Sequence, residues 1–248
     1  NEFSLHYQPQ VRCSDDKVVS FEALLRWNHP KLGQVSPARF IPVLESIGLI
    51  EEVGGWVLRQ ACRQLARWRR HDPELRMAVN VSAIQFEDPT LVYKVATSIE
   101  SSGLPPDALE LEITESLVMR DFEQTLSTLT RLKELGVGIA IDDFGTGYSN
   151  LASLARLPID VLKIDRSITS LIGDEKGESI PTAVIQLSQA LDIDILAEGV
   201  EEREELDFLR ARGVQTYQGY YFARPLSVSA LEERLEIGRA RKTLKKVS

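Results

Sequence analysis

Two adjacent carboxylates, Asp142 and Asp143, follow an apolar run and precede a loop that contains Gly145 and Gly147. An apolar run of this length is typical of a buried strand. Buried neighbouring carboxylates repel each other, and a divalent cation such as Mg²⁺ or Mn²⁺ would relieve the repulsion because it prefers carboxylate oxygens. Since consecutive side chains of a strand point to opposite faces, we expect the strand to end between the aspartates and the backbone to turn there. An aspartate that caps a turn at a strand end is the simpler alternative.

Polar side chains also lie at or near the ends of the other predicted strands. Taken singly, each is more simply explained as structural: Glu22 as a paired core charge, Asn80 as a turn former, and Lys163 with Asp165 as an ion pair. We expect Glu110 to face outward or to be salt-bridged. Because active sites of α/β barrels lie at the carboxyl ends of the strands, the rest of the set indicates one site. Its members are Glu22, Asn80, Glu112, Glu115, Asp142, Asp143, Lys163, Asp165, Glu198 and Gln218.

This set of side chains favours two-metal phosphoryl chemistry. Carboxylate and amide oxygens suit hard cations, and Lys163 supplies a positive donor. Two cations bridged by Asp142 would lower the pKa of a bound water, whose hydroxide would attack phosphorus. The three histidines are scattered, Cys13 and Cys62 lack metal-ligand spacing, and no nucleophilic triad is visible. The residue pattern therefore predicts a metal-dependent phosphate-ester hydrolase, without naming its substrate.

The elements that must position these residues alternate along the chain. Only five residues separate the first two predicted strands, which are therefore an antiparallel hairpin, since parallel neighbours need a longer crossover. Six further strands alternate with helices, and eight strands close a barrel. The prediction is an α/β fold, a TIM-like (β/α)8 barrel with an antiparallel first strand. Strands are expected at 3–12, 18–27, 76–82, 109–114, 137–142, 161–165, 193–198 and 214–219. Helices are expected from Pro37 to about Gly48 and at 50–70, 89–102, 121–135, 149–155, 179–191, 202–212 and 229–241.

Composition limits the classes of function. The chain of 248 residues suits one domain over 1–248, with a basic segment at about 229–248. A net charge of −8 argues against a nucleic-acid polymer as partner, but not against a small phosphate ligand near bound metals. No apolar run approaches a membrane span and no signal peptide is visible. We expect a cytoplasmic domain, or the cytoplasmic domain of a membrane-anchored parent.

The chain resembles the EAL domains, bacterial phosphodiesterases that hydrolyse cyclic di-GMP to linear pGpG. The resemblance covers essentially the whole chain, and its motifs occur in order. They are Tyr7-Gln8-Pro9, Glu22-Ala23-Leu24-Leu25-Arg26-Trp27, Asn80-Val81-Ser82, Glu112-Ile113-Thr114-Glu115-Ser116, Asp142-Asp143-Phe144-Gly145-Thr146-Gly147-Tyr148-Ser149, Lys163-Ile164-Asp165, Ala197-Glu198-Gly199-Val200-Glu201 and Gln218-Gly219-Tyr220.

The resemblance implies a role for each matched residue. One Mg²⁺ or Mn²⁺ ion would be held by Glu22, Asn80, Glu112 and Asp142, and a second by Asp142 and Asp143 with help from Glu198. The implied catalytic residues are Lys163, near the attacking water, Glu198, the candidate general base, and the two aspartates Asp142 and Asp143. The implied substrate contacts are Gln8, Leu25, Arg26, Asp165 and Gln218, with Arg26 on a phosphate. Glu115 would hold the loop 144–150, and Glu201 would play a supporting role.

The resemblance also implies partners and alternatives. Cyclic di-GMP would be the substrate, loop 144–150 would make dimer contacts if a homodimer forms, and further domains are expected in a longer parent protein. Gln10 stands where the family usually has an apolar residue, and we do not expect it to disturb the metals. The main alternative is a receptor module that binds cyclic di-GMP with little or no turnover. A third interpretation, another metal-dependent barrel hydrolase, is supported by the fold alone.

Overall fold

The computed structural model of the chain describes residues 2–118, 120–145, 151–174 and 177–237. Its strands fall close to the eight predicted positions, and one short strand is additional. They are β1 Phe3–Arg12, β2 Val18–His29, β3 Gly33–Val35, β4 Arg76–Asn80, β5 Leu109–Thr114, β6 Gly138–Phe144, β7 Val161–Ile164, β8 Asp194–Ala197 and β9 Thr216–Tyr217.

Eight of these strands close into a barrel. The sheet order is β1-β9-β8-β7-β6-β5-β4-β2-β3, and β1 also pairs with β2, which completes the ring and leaves β3 outside it. β1 runs antiparallel to both of its neighbours, whereas the pairs from β2–β4 to β8–β9 around the ring are parallel. The predicted TIM-like barrel with an antiparallel first strand is confirmed.

Helices connect the parallel strands, and the longer ones lie where helical periodicity predicts them. They are α1 Pro37–Ser46, α2 Ile50–Trp68, α3 Ala83–Glu87, α4 Leu91–Ser102, α5 Glu115–Val118, α6 Phe122–Glu134, α7 Leu151–Leu154, α8 Arg166–Thr169, α9 Ser179–Ala190, α10 Arg203–Ala211 and α11 Val228–Arg234, with a 3₁₀ turn at Pro106–Ala108. The unpredicted helices α3, α5 and α8 have only four or five residues, too few to show a period of 3.6.

Two predicted elements differ from the structure. The last barrel strand is Thr216–Tyr217 rather than 214–219, because the chain crosses closely over the β8 loop at Gly219. A Cβ at Gly219 would stand 2.0 Å from the carbonyl oxygen of Val200, so only glycine fits there. The predicted helix 229–241 is present as α11, and its residues from 238 onward lie outside the described part of the chain.

Aromatic and aliphatic packing fixes the hairpin that begins the barrel. Trp68 of α2 is fully buried, and its ring centroid lies 5.0 Å from that of Tyr7 and 4.7 Å from that of Phe21. Burying a large apolar side chain contributes about 1.5–3 kcal/mol, so this contact holds β1 and β2 firmly together. The antiparallel register then places Gln8 opposite Glu22. Across the described ranges, no helix is long and apolar enough to cross a membrane.

Candidate active site

The Lys163 side chain lies at the centre of the carboxyl end of the barrel. It points inward from β7 and is fully buried. Its Nζ atom lies 2.9–3.0 Å from three carboxylate oxygens, those of Glu112, Asp142 and Glu198. Burial alone would lower the pKa of Lys163, but the surrounding carboxylates raise it well above its ordinary value. Lys163 is therefore a permanent ammonium that can donate protons in hydrogen bonds.

A β-bulge brings Asp142 and Asp143 together, in place of the predicted strand end. β6 continues to Phe144, and its register with β7 shifts so that both aspartates lie opposite Lys163. Asp143 adopts a left-handed backbone with φ of 56°, and its backbone N–H donates to Asp142 Oδ1 at 2.9 Å. An extra residue in one strand re-aims the side chains beside it. The expected turn between the aspartates therefore occurs inside the strand, not after it.

Amide side chains orient Glu22 on β2. Asn80 Nδ2 donates to Glu22 Oε1 at 2.7 Å, and Gln218 Nε2 lies 2.5 Å from Glu22 Oε2 and also donates to Gln8 Oε1 at 3.1 Å. Gln8 Nε2 in turn donates to the carbonyl oxygen of Ala223 at 3.2 Å. The structure thus brings four of the predicted residues, from β1, β2, β4 and the end of β9, into one hydrogen-bonded chain.

The pKa values of Glu22 and Glu112 move in opposite directions. Burial disfavours the charged form of both carboxyls. For Glu22 this effect is outweighed by the Lys163 ammonium and by hydrogen bonds from neighbouring side chains, so its pKa lies below the ordinary value. For Glu112 burial prevails over Lys163, and the nearby carboxylates Glu22 and Asp142 act in the same direction, so its pKa lies well above the ordinary value. A bound cation would favour the charged form of Glu112.

Glu110 is a correction to the sequence interpretation. It lies two residues before Glu112, so both side chains point to the same face of β5, the interior of the barrel. Glu110 is buried, and the described residues give it no ion-pair partner within 4 Å. Burial raises its pKa to about 7. The expectation of an outward-facing or salt-bridged Glu110 was wrong because the alternation along β5 places Glu110 on the face of Glu112, and closure of the barrel makes that face interior.

Glu198 follows β8 and lies beside Lys163. Burial and the carboxylates Asp142 and Glu22 raise its pKa to about 7, against the opposing effect of Lys163. The next residue, Gly199, has φ of 67°, and a Cβ there would stand 2.4 Å from Cγ of Arg166. The side chain of Arg166 therefore packs directly against the backbone of Gly199.

Arg166 is a residue that the sequence interpretation missed. Its Nη2 atom pairs with Glu201 Oε2 at 3.0 Å, across the loop that carries Glu198. Glu201 thus contacts Arg166 and, through its backbone N–H, Glu205 Oε2 at 2.7 Å, which fits the supporting role implied for it. The sequence does not single out Arg166 as a site residue, because an arginine directly after Asp165 is explained equally well as an ordinary residue of helix α8.

Glu115 contacts Gly145, the first residue after β6. Its side chain is buried, and Oε2 accepts a hydrogen bond from the backbone N–H of Gly145 at 3.0 Å. The left-handed φ of 96° at Gly145 requires a glycine, since a Cβ would stand 2.2 Å from Ile168 Cδ1. Residues 146–150 of the loop, which include Gly147, lie outside the described residues, and so do the implied dimer contacts.

The implied substrate residues occupy different surroundings. Arg26 is half-buried and has no carboxylate within 4 Å in the ranges that the structure describes, so its guanidinium is available to a ligand. Leu25, Arg26, Glu22 and Asn80 line a cavity of about 470 Å³, whose other walls are mostly apolar. Asp165 is not paired with Lys163; it caps α8 by accepting from the Ser167 N–H at 2.8 Å, and these hydrogen bonds lower its pKa against burial.

The donor set fits divalent cations by charge and chemistry. Three carboxyls, Glu112, Asp142 and Glu198, contact the Lys163 ammonium, and Glu22 and Asp143 interact with it electrostatically. Burial with mutual repulsion raises the pKa of Glu112, Asp143 and Glu198. Excess negative charge on oxygen ligands suits Mg²⁺ or Mn²⁺. Nevertheless, no three acidic, histidine or cysteine side chains of the described residues converge on one point at metal-binding distance. The carboxylates are arranged around Lys163, so cation binding requires them to reorient.

Comparison with known proteins identifies the family. The model of the EAL domain matches residues 1–225. The chain belongs to the EAL domain family. The cyclic di-GMP phosphodiesterase NbdA of Pseudomonas aeruginosa is 45% identical to this EAL domain over 237 residues, which cover 95% of the chain. The bifunctional diguanylate cyclase/cyclic di-GMP phosphodiesterase MucR of the same organism is 43% identical over 229 residues, 92% of the chain.

A solved structure agrees in fold. The PaMucR phosphodiesterase in complex with c-di-GMP superposes on this EAL domain with a TM-score of 0.89 and 42% identity, covering 93% of this chain and 94% of that one. The curated relatives are much longer proteins, since this EAL domain spans 30% of NbdA and 33% of MucR. The family and the fold are therefore established over the chain itself, and the activities of the longer relatives belong to those proteins.

Proposed function

We propose that this EAL domain is a metal-dependent phosphodiesterase that hydrolyses cyclic di-GMP to linear pGpG. The observation that supports it best is the buried Lys163 ammonium, held by Glu112, Asp142 and Glu198 and surrounded by further carboxyls. Such a cluster is costly to bury, and it lies where α/β barrels carry their chemistry. Relatives named as cyclic di-GMP phosphodiesterases and a relative in complex with c-di-GMP support the substrate.

Two divalent ions would be held by the oxygen ligands of this cluster. Glu22, Asn80, Glu112 and Asp142 would hold one, and Asp142 and Asp143 with Glu198 would hold the other. When bound, Mg²⁺ or Mn²⁺ supplies an acidified water and neutralises charge on the phosphate. Asn80 must turn its oxygen toward the ion, since its nitrogen donates to Glu22 in the present geometry.

The proton and the developing charge are assigned to Glu198 and Lys163. Glu198, with a pKa of about 7, accepts the proton of the attacking water as the new O–P bond forms. Lys163 cannot act as the base, because it remains an ammonium; it donates to an oxygen of the phosphoryl group or of the nucleophile as negative charge develops. The opposite P–O bond breaks, the released oxygen takes up a proton from solvent, Glu198 returns its proton to solvent, and pGpG leaves.

Substrate binding is assigned chiefly to Arg26 and the cavity beside it. The unpaired guanidinium of Arg26 would bind a phosphate, and Leu25 would contact the dinucleotide from the same wall. Gln8 and Gln218 already support Glu22, so their effect on the substrate would be exerted partly through that carboxylate. The Asp165 carboxylate is engaged as a helix cap, which makes it the least supported of the implied contacts.

Product formation tests the proposal directly. The purified chain is incubated with cyclic di-GMP and Mg²⁺ or Mn²⁺, or with EDTA, and the products are separated by chromatography. We expect metal-dependent pGpG, and its loss in Glu22→Gln. The matched control is Glu100→Gln, which makes the same change on the exposed face of α4. Turnover that persists in EDTA or in Glu22→Gln would contradict the proposal.

A binding module is the second candidate, and the arrangement of carboxylates around Lys163 favours it. If the side chains do not reorient, the domain binds cyclic di-GMP without turnover. Calorimetry distinguishes the candidates: binding without product in the presence of metal supports the receptor, and neither binding nor product contradicts both.

We further propose where this domain occurs, both within a longer protein and within the cell. The whole of 1–248 would form one phosphodiesterase domain inside a longer protein, in keeping with the 30% of NbdA that it spans. Its unbridged thiols, Cys13 and Cys62, fit the reducing cytoplasm. A homodimer and regulation by neighbouring domains are consistent with this setting.

A further inference from the structure

A second cavity lies at the opposite end of the barrel from the candidate active site. It has a volume of about 730 Å³, and it is lined by residues at or near the amino ends of six barrel strands. These are Ser20, Arg76, Glu110, Val161, Asp194 and Thr216. The loop between β1 and β2 forms its rim. A volume of this size accommodates a small organic molecule.

Most positive charges around this cavity are already neutralised. Arg12 pairs with Asp15 at 3.0 Å and Lys17 pairs with Asp72 at 3.3 Å. Arg210 likewise pairs with Asp16 at 2.7 Å.

The remaining charges leave an excess of carboxylates. Glu74, Glu110 and Asp194 line the cavity without an ion-pair partner within 4 Å in the part of the chain that the structure describes, and Arg76 is the one cation so placed. Arg76 acts electrostatically on both Glu110 and Asp194, so it offsets only one of these charges. With Glu110 ionised, the cavity therefore has an unbalanced negative charge.

Glu110 gives this charge a fixed position. Its side chain is more than nine-tenths buried, points into the cavity and has no hydrogen-bond partner among the described residues. A buried carboxylate without donors is costly, and the cost is removed when a ligand supplies N–H groups. Asp194, which begins β8, lines the same cavity; it is exposed, and the described residues donate no hydrogen bond to its carboxylate.

We propose that this cavity binds a small organic cation, whose ammonium or guanidinium group donates to the carboxylates of Glu110 and Asp194. Ammonium and guanidinium groups provide several N–H donors, which suits carboxylates that accept no other hydrogen bond. A metal ion suits the cavity less well, because no three carboxylates of the described residues converge on one point. The proposal is independent of the catalytic activity, since it concerns the other end of the barrel.

Calorimetric titration of the purified chain with 1,4-diaminobutane and with spermidine tests the proposal. Salt of about 0.15 M screens exposed charges beyond about 8 Å, which suppresses nonspecific attraction to a protein of net charge −8. We expect saturable binding with one site. Glu110→Gln and Asp194→Asn should each weaken it at least about tenfold, because each removes a charge-assisted hydrogen bond. Glu100→Gln, with the same charge change on an exposed helix face, should leave the affinity within about twofold.

Three results would overturn the proposal. The first is the absence of saturable binding by either amine. The second is equal weakening in Glu110→Gln and Glu100→Gln, which would show attraction to the net charge alone. The third is displacement of the amine by Mg²⁺ at equal concentration, which would show an inorganic cation site. Thermal denaturation of each variant verifies its folding, and Glu110→Gln should not be less stable, because it removes a buried carboxyl.

Discussion

Glu112 and Glu110 lie on the same face of the same strand, yet they have different neighbours because they lie toward opposite ends of the barrel. At the carboxyl end, Glu112 lies 3.0 Å from the Lys163 ammonium and within 3.4 Å of Gln10 Nε2. At the amino end, Glu110 faces a cavity and accepts no side-chain hydrogen bond from the described residues. The carboxyl end offsets part of its negative charge with the Lys163 ammonium, whereas Glu110 has no ion-pair partner within 4 Å among the described residues. The comparison indicates that a buried carboxyl occurs both in the candidate active site and in the proposed cation cavity, and that its neighbouring charges distinguish the two.

Replacing Lys163 with Met should have the largest effect, because it removes the charge that neutralises the carboxyl end. Glu112, Asp142 and Glu198 would be left without their shared ammonium, which we expect to cost about 3–5 kcal/mol of stability in the metal-free protein. Turnover should fall at least about 10³-fold. Urea denaturation and the pGpG assay measure the two effects, and Mg²⁺ should restore part of the stability. Wild-type stability in this variant would show that Lys163 does not organise the site.

Asp142→Asn should abolish most turnover while preserving the fold. The asparagine can retain the hydrogen bond from the backbone N–H of residue 143, but it loses the charge proposed to bridge both metals. We expect at least about a 100-fold loss of turnover, exceeding the loss typical of a residue that only supports a metal ligand. Steady-state kinetics over a range of Mn²⁺ concentrations measures it. Full recovery at high Mn²⁺ would show that Asp142 affects affinity for one ion only.

The metal-free protein should lose stability as pH rises from about 4.5 to about 7. Burial raises the pKa of Glu110 and of Glu198 to about 7, from an ordinary value of 4.5. The native state then binds more protons than the unfolded state throughout this window, so stability is greatest below it. A difference of one in pKa corresponds to about 1.4 kcal/mol, so each carboxyl contributes roughly 3 kcal/mol.

The same pH experiment distinguishes the contributions of the two ends of the barrel. Glu110→Gln should remove the contribution of Glu110, roughly 3 kcal/mol, from the pH dependence measured by urea denaturation at pH 5 and pH 8. Mg²⁺ should remove the contribution of the carboxyl end, where Glu112, Asp143 and Glu198 all have raised pKa values. If Mg²⁺ abolished the whole pH dependence, the distinction between the two ends would be wrong.

Glu115→Ala should have the smallest effect of these changes, because Glu115 acts on the candidate site through a backbone contact. Loss of its hydrogen bond to Gly145 releases the start of the loop after β6. We expect turnover to fall about tenfold, with metal affinity also reduced. Glu115→Gln keeps an oxygen acceptor and should recover most of the activity. An unchanged rate and metal affinity in Glu115→Ala would exclude a role in holding the loop.

Much of the fold is visible in the sequence because it rests on local signals. The five-residue connection between β1 and β2 requires an antiparallel hairpin, and the alternation of strands and helices requires a parallel sheet. The short helices α3, α5 and α8 carry no such signal. Neither does the early end of β9, which depends on the close approach of Gly219 to Val200.

The candidate site was visible as a set of residues but not as an arrangement. Strand-end polarity and the family resemblance indicate Glu22, Asp142 and Glu198, yet no pattern in the sequence shows three carboxylates converging on Lys163. The bulge was also invisible, because it is a matter of register between β6 and β7. Glu110 was misjudged for a related reason: strand alternation identifies a face, but only closure of the barrel shows that the face is interior.

The left-handed backbone of Asp143 limits which residues could replace it during evolution. At φ of 56°, side chains other than glycine, asparagine and aspartate are strained, so few substitutions at this position preserve the bulge. Asparagine fits the same space and the same backbone without the charge. A lineage that ceased to need the carboxylate would therefore drift most easily to asparagine or glycine there, and it would retain a well-folded barrel. Selection for an acid at position 143 acts through the chemistry of its carboxylate, whereas the backbone conformation determines which residues could replace it.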